Sequence, residues 1–268
     1  MQEYNNTHAP YMSFYSAPFY QDVARNWHGL GFFYLFLLVI ITWLPDIYAL
    51  QKWVSETANV EAPGIVEQVP RIEISDGRVH VDVKTPYYIY NPKDESLLIA
   101  IDTSGQLRSL RDTDARLLLT DRELFIDSDD GNDRLLSLDE IGANFVVDQD
   151  LIFQILGWLD SWFAIVAFPF VVAFSYAFRI IQVLVYALIA LLLAALLKTQ
   201  LKYTVAIRLA VMAITPVLIL DMLRSIFDIT VPHPWVVAFL IAMAYLFFAV
   251  YVNSQPEAGA GEAQSAAP

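Results

Sequence analysis

Residues 151–197 hold only two charged side chains, Asp160 and Arg179. An α-helix rises about 1.5 Å per residue and the hydrocarbon core of a bilayer is about 30 Å thick, so roughly 20 apolar residues make one crossing. This run amounts to about 70 Å of helix, which is enough for two. The sequence reading places crossings at 154–175 and 179–197, with a break around 175–179. Three more apolar runs have the same character. LGFFYLFLLVIITWLPDIYAL, residues 30–50, has no charge before Asp46 and ends its crossing near Pro45. Residues 204–227 form a fourth crossing, which Pro216 is expected to bend. Pro232 and Pro234 mark a turn around His233, and residues 235–253 form a fifth. The bulk composition agrees. The chain is 57% hydrophobic and 17% charged over 268 residues, against about 45–50% and 25% for a soluble chain.

The stretch between the first and second crossings is of another kind. Residues 51–150 contain 21 acidic and 10 basic side chains, so −11 of the chain's net −13 lies there. The apolar period changes to two. RIEISDGRVHVDV alternates around Asp76-Gly77, a strong hairpin signal. YYIY, LLIAIDTSG, RLLLTDRELFIDS and RLLSL follow between polar turns. The pattern predicts five to seven short strands in an antiparallel sheet or sandwich, inserted into a helical transmembrane bundle of five crossings. So acidic a domain repels nucleic acid and anionic headgroups. Within it, DSDDGND groups Asp127, Asp129, Asp130 and Asp133 in the manner of a calcium loop. The twelfth position from Asp127 is Leu138 rather than glutamate, which argues for a solvated hairpin tip instead.

The amino-terminal segment, residues 1–28, is aromatic and amphipathic. Ser16 can cap a helix with Pro18 in its first turn. Phe19, Val23, Trp27 and Leu30 then share one face. Such a helix is expected to lie in the membrane interface with Tyr and Trp at headgroup depth, the alternative being packing on the transmembrane bundle. The opening lacks the basic segment and cleavage site of a signal peptide, so the first crossing is expected to stay as an anchor. The tail, residues 254–268, is rich in Ala, Gly, Gln and Pro and is expected to be disordered. With five crossings, Arg25, Arg179 and Arg224 fall on one side, and Lys198, Lys202 and Arg208 on the other. The balance of positive charge then favours neither orientation. A cytoplasmic amino terminus is preferred because the first helix usually dominates.

One constellation in the apolar half could carry chemistry: Asp221, Arg224 and Asp228, with Pro216 nearby in the fourth crossing. Asp221 and Arg224 stand three apart and share a helix face. Ionisable groups at such depth are costly and usually face a bundle interior or a water-filled path. A contact to an ion, a proton or a headgroup competes here with a plain helix end whose arginine snorkels. Asp160 and Arg179 read as flanks at the interface. The chain has no cysteine, which excludes thiolate catalysis, thiolate zinc sites and disulfides. The four histidines are scattered over separate segments, and neither a phosphate loop nor a dinucleotide turn is present. The sequence therefore yields no catalytic residue, cofactor or metal ligand.

Three pieces of the chain resemble a family of bacterial membrane proteins: FYSAPFYQDVARNW at 14–27; VPRIEISDGRVHV with TPYYIY and LLIAIDTSG; and LKYTVAIRLAVMAITPVLIL at 201–220. That family is related to the five-crossing Yip-type group and includes the MalA-type proteins of maltodextrin loci. The chain departs from many members in lacking a Lys-rich opening. The resemblance implies a multi-pass protein of the bacterial inner membrane and no particular reaction. The expected role is a non-enzymatic scaffold, accessory or assembly protein. It would contact membrane lipids and a partner membrane protein or complex, using its extramembrane domain. The alternative is a small transporter or lipid-handling protein that uses the charged residues of the fourth crossing. A third is a sensor whose domain binds a ligand or cation.

Overall fold

The computed structural model describes residues 3–128, 133–140 and 144–255. The chain divides into two compact units, one of residues 1–49 and 165–268 and one of residues 50–164. Among the described residues, four helices are long and apolar enough to cross a membrane: Phe32–Glu61, Gln149–Leu196, Tyr203–Ile226 and Pro234–Ser254.

The first unit opens with two short helices, α1 (Ala9–Met12) and α2 (Ala17–Arg25). As the residue types demand, the Ser16 hydroxyl accepts from the Phe19 N–H at 3.3 Å and caps α2. Phe19, Tyr20 and Val23 are fully buried, and α2 packs against the two carboxy-terminal helices. Of the two placements open to an amphipathic segment, the structure shows packing on the bundle. Helix α3 (Phe32–Glu56) follows and continues through a π-helical turn at Thr57–Glu61. After a short helix, α4 (Pro63–Val66), and the strands described below come α5 (Gln149–Leu196), α6 (Tyr203–Ile226) and α7 (Pro234–Ser254).

Helix α6 is the centre of the bundle. Every residue from 209 to 218 is buried, Pro216 included. Ala206, Ala210 and Ala213 have no exposed surface, and small side chains of this kind let neighbouring backbones come close in a membrane. The helix runs on through Pro216. Next to it, the Thr215 hydroxyl donates to the Val211 carbonyl at 3.0 Å and accepts from the Tyr34 hydroxyl at 3.3 Å.

The expectation of five crossings needs correction. Residues 154–196 form no hairpin; they belong to the single helix α5, of 48 residues. The reason is local. Length and composition suffice for two crossings, but a hairpin also needs residues that end a helix. Ser-Tyr-Ala-Phe-Arg at 175–179 contains no glycine or proline, and the one interior proline, Pro169, is accommodated. The break comes later, at Lys198 with φ +55°. The Gln21 amide donates to the Val252 carbonyl at 3.3 Å, and the Asn253 amide to the Tyr20 carbonyl at 3.2 Å. Helix α2 thus touches the last turn of α7.

The second unit, taken alone, carries two sheets. One has the order β2-β1-β8 and the other β3-β4-β5-β6-β7. The strands are β1 (Ile72–Ser75), β2 (Arg78–Val81), β3 (Tyr87–Tyr90), β4 (Leu97–Asp102), β5 (Leu117–Thr120), β6 (Glu123–Ile126), β7 (Arg134–Ser137) and β8 (Phe145–Val147). The hairpin at Asp76-Gly77 is present, with Ser75 paired to Arg78 and positive φ at both turn residues, 50° and 71°. Two positive φ angles in a two-residue loop are what the twist of paired strands requires. The all-antiparallel expectation also needs correction, because β4 and β5 run parallel, with Ile99 opposite Leu117. Fourteen residues connect them, enough for the crossover that parallel pairing demands. Strand β4 is buried on both faces. Ile101 packs with Ile72, Ile74, Val79 and Ile89, and Ala100 with Leu110, Ala115 and Leu118. At the base of the unit, the Gln51 amide donates to the Asp160 carbonyl at 2.6 Å and the Ser55 hydroxyl donates to the Asp160 carboxylate. Gln51 also accepts from the Ala164 N–H at 2.9 Å.

Candidate functional site

Helical spacing brings four charged side chains of the first unit together. Thr42 and Asp46 lie one turn apart on α3. Ser175, Arg179, Gln182 and Tyr186 form a stripe at steps of four, three and four on α5. Leu218, Asp221 and Ser225 do the same on α6 at steps of three and four. Residues three and four apart share a helix face, and these stripes converge. Thr42, Trp43, Asp46, Ser175, Arg179, Asp221 and Arg224 line a cavity of about 190 Å³.

Within it, Arg224 Nε lies 3.3 Å from Asp221 Oδ1. The Ser225 hydroxyl donates to Asp46. Arg179 Nη1 donates to Gln182 Oε1 at 2.7 Å, and Gln182 Nε2 donates to the Tyr186 hydroxyl at 2.9 Å. Arg179 Nε is buried and has no hydrogen-bond acceptor among the described residues. A buried donor without a partner costs about 1–3 kcal/mol, so this nitrogen is not an ordinary structural contact.

Two further cavities open from the same pair of residues. One, of about 340 Å³, has Arg179, Gln182, Tyr186, Asp221 and Arg224 on one wall and Trp235 and Phe239 on the other. The second, of about 380 Å³, is walled by Leu220, Leu223, Phe227, Ile229, Val237 and Ile241, with Asp221 and Arg224 at its edge. The carboxylate and guanidinium of α6 therefore stand where a polar chamber meets an apolar one.

Of the residues singled out from sequence, Asp221 and Arg224 are at this centre. Pro216 is not; it lies buried inside the packing of α6. Asp228 is exposed beyond the end of the helix, at φ +50°, and lines none of the three cavities. Arg179, read as an interfacial flank, belongs to the site instead. Asp46 was passed over. The signal that could have found both was a census of charges inside apolar runs, since each such charge needs a partner from another helix. Asp160, the other supposed flank, is held by Ser55 in the second unit. The calcium reading falls partly outside the described residues, with Asp129 and Asp130. Asp127 and Asp133 line a surface hollow with Arg111 and Asp114. Among the described residues, no group of His, Asp and Glu could hold a metal ion.

A second polar cluster ties down the amino terminus. Asp22, only 5% exposed, accepts from the Glu3 and Tyr4 N–H groups at 3.2 and 3.1 Å, from Asn26 at 2.7 Å and from the Trp27 indole at 2.9 Å. Burial alone would push its carboxyl up, but these four donors outweigh that and hold it below the usual carboxylate range. The neighbouring Tyr20 hydroxyl donates to the Ser13 carbonyl at 2.7 Å, and burial pushes that phenol far up. On the same end of the bundle, Arg208 Nη2 donates to the Ala24 carbonyl at 3.2 Å.

The model of a family described as "Protein of unknown function (DUF1189)" matches residues 9–250. The chain belongs to that family. The match takes in α1 to the last turn of α7 and all four charged residues of the cavity. An uncharacterized protein of Rickettsia prowazekii (strain Madrid E) is 29% identical to this chain over 129 residues. That alignment covers 43% of this chain and 43% of the relative, so the match spans less than half of the relative's length. No solved structure matches this DUF1189 chain. Neither match names the Yip-type group or the MalA-type proteins.

Proposed function

We propose that this DUF1189 protein is a multi-pass protein of the bacterial cytoplasmic membrane that binds an amphiphile at the junction of α3, α5, α6 and α7. Its role is one of binding rather than catalysis. One observation carries the reading: a chamber lined by two aspartates and two arginines shares Asp221 and Arg224 with a cavity lined almost entirely by aliphatic and aromatic side chains. A ligand that fits both is polar at one end and greasy at the other. An ion or proton path would have needed polar lining on both sides of the pair.

With four crossings, Arg25, Lys198, Lys202 and Arg208 lie on the side of the termini, and Lys52, Arg71, Arg179 and Arg224 near the span ends on the other. The balance of positive charge favours neither side; cytoplasmic termini are preferred because the first helix usually dominates and long inserts translocate largely regardless of charge, and the acidic insert of residues 50–164 then lies outside the cytoplasm.

The test is lipid retention. The full-length chain is purified in mild detergent, washed extensively, and its bound lipid measured by mass spectrometry beside a D221N/R224Q variant with the same elution profile. The wild type keeps close to one lipid per chain and the variant loses it. Equal retention by both proteins would sink the reading.

A second reading, an accessory protein that holds a partner through its extramembrane unit, is supported by one feature. Tyr88 and Tyr90 are exposed on β3, an edge strand of the five-stranded sheet. Cross-linking in membranes that recovers one stoichiometric partner, lost in a Y88A/Y90A variant, would favour it.

A further inference from the structure

We infer that the occupant of the polar chamber is the headgroup of a zwitterionic phospholipid with a primary ammonium, of the phosphoethanolamine class. This rests on the amphiphile reading above and adds the chemistry of the head.

Charge comes first. Asp46, Asp221, Arg179 and Arg224 line the site together, two of each sign. A site for an anionic head would not place two carboxylates beside its guanidinium groups, and a cation site would not keep the two arginines. A ligand carrying one negative and one positive centre can meet both kinds of residue at once.

Donors and acceptors come next. Arg224 is engaged by Asp221 through Nε, which leaves its terminal nitrogens to a phosphate. Arg179 gives Nη1 to Gln182 and has Nε buried without an acceptor. Two guanidinium groups are well suited to phosphate oxygens, which they grip with paired N–H donors. The carboxylates of Asp46 and Asp221 accept, and a primary ammonium brings three N–H donors to them. A quaternary ammonium has none and is held best by aromatic faces. The chamber that contains both carboxylates has one aromatic residue in its lining, Trp43.

Depth is the third argument. Measured from the helix ends at Phe32, Tyr203 and Leu196, the positions of Asp46, Asp221 and Arg179 lie about 21, 27 and 26 Å along their axes at about 1.5 Å per residue. With a hydrocarbon core of about 30 Å, that is the headgroup boundary of the leaflet away from the termini. An acyl chain continues from there into the cavity walled by Leu220, Leu223, Phe227, Val237 and Ile241.

The experiment is a titration of the full-length protein by native mass spectrometry with three lipids of identical tails: dioleoyl phosphatidylethanolamine, phosphatidylglycerol and phosphatidylcholine. The ethanolamine lipid should bind roughly tenfold more tightly than either of the others, the worth of one charge-assisted hydrogen bond. D46N and D221N should each cut the preference for the ethanolamine lipid over phosphatidylglycerol. R179Q should weaken all three lipids. Equal affinity for phosphatidylcholine, or tighter binding of phosphatidylglycerol, overturns the headgroup assignment and leaves the amphiphile site standing. No binding of any of the three overturns the site itself. The wild-type comparison decides by itself if a variant fails to fold.

Discussion

Asp22 shows how a single carboxylate can organise a terminus. Four donors converge on it from two backbone amides and two side chains, and they hold its proton affinity down against the pull of burial. A carboxyl whose pKa is lowered by folding stabilises the protein above its unfolded value, near 3.9, and loses that contribution as the pH falls through the folded value. Asp22→Asn should therefore lower stability by about 1–3 kcal/mol at neutral pH, with a smaller further loss than wild type on acidification below pH about 4. Melting curves in detergent at pH 7 and pH 3.5 check both parts; a variant as acid-sensitive as wild type would contradict them. Asp102 obeys the same logic in the insert. Burial raises its carboxyl, but the Leu107 and Ser104 N–H groups and the Ser104 hydroxyl, at 2.6–2.8 Å, hold it below the usual range. Gly77 makes the complementary point about backbone. Its φ is +71°, and a Cβ there would stand 2.9 Å from the Asp139 Cα. Gly77→Ala should cost at least about 1 kcal/mol, read as a lower melting temperature of the full-length chain. The Asp76-Gly77 turn could be read from sequence because its cause is local. The Asp22 cluster could not, since its donors come from residues 3 and 4 as well as from 26 and 27, just past α2.

At the scale of elements, α6 is where composition and packing agree most closely. A row of alanines at 206, 210 and 213 lies on a helix buried over its central ten residues. Enlarging one of them forces neighbours off their rotamers, at about 1–3 kcal/mol in a well-packed core. Ala213→Leu should thus lower thermal stability clearly. Leu196→Ala, at a position 78% exposed, should change it little. If both variants melt alike, the central place of α6 is wrong. The positions of the apolar runs were plain in the sequence, because hydropathy and length fix where a helix can cross. Whether a long run holds one helix or two depends on what ends a helix, and 175–179 offers nothing that does. Period-two alternation likewise predicted the strands, while the parallel β4–β5 pair depended on a connection whose path no alternation encodes. For the site, the sequence exposed the Asp221–Arg224 pair, three apart on one helix. Asp46 was hidden because its partner, Ser225, sits 179 positions further along the chain, and Arg179 because the carboxylate it shares the cavity with, Asp221, sits on another helix.

The whole molecule joins four helices long and apolar enough to cross a membrane to an acidic insert between the first and second of them. The proposed cytoplasmic termini and the proposed headgroup chamber in the opposite leaflet both depend on an even count of crossings. The chain has no cysteine, so single cysteines report without background. Cysteines placed one at a time at Thr7, Gln106 and Gln255 in intact cells, and labelled with a membrane-impermeant maleimide before and after permeabilisation, measure the count directly. Thr7 and Gln255 should label only after permeabilisation and Gln106 before it. Labelling of Thr7 and Gln255 from opposite sides would contradict the four-crossing arrangement and everything built on it.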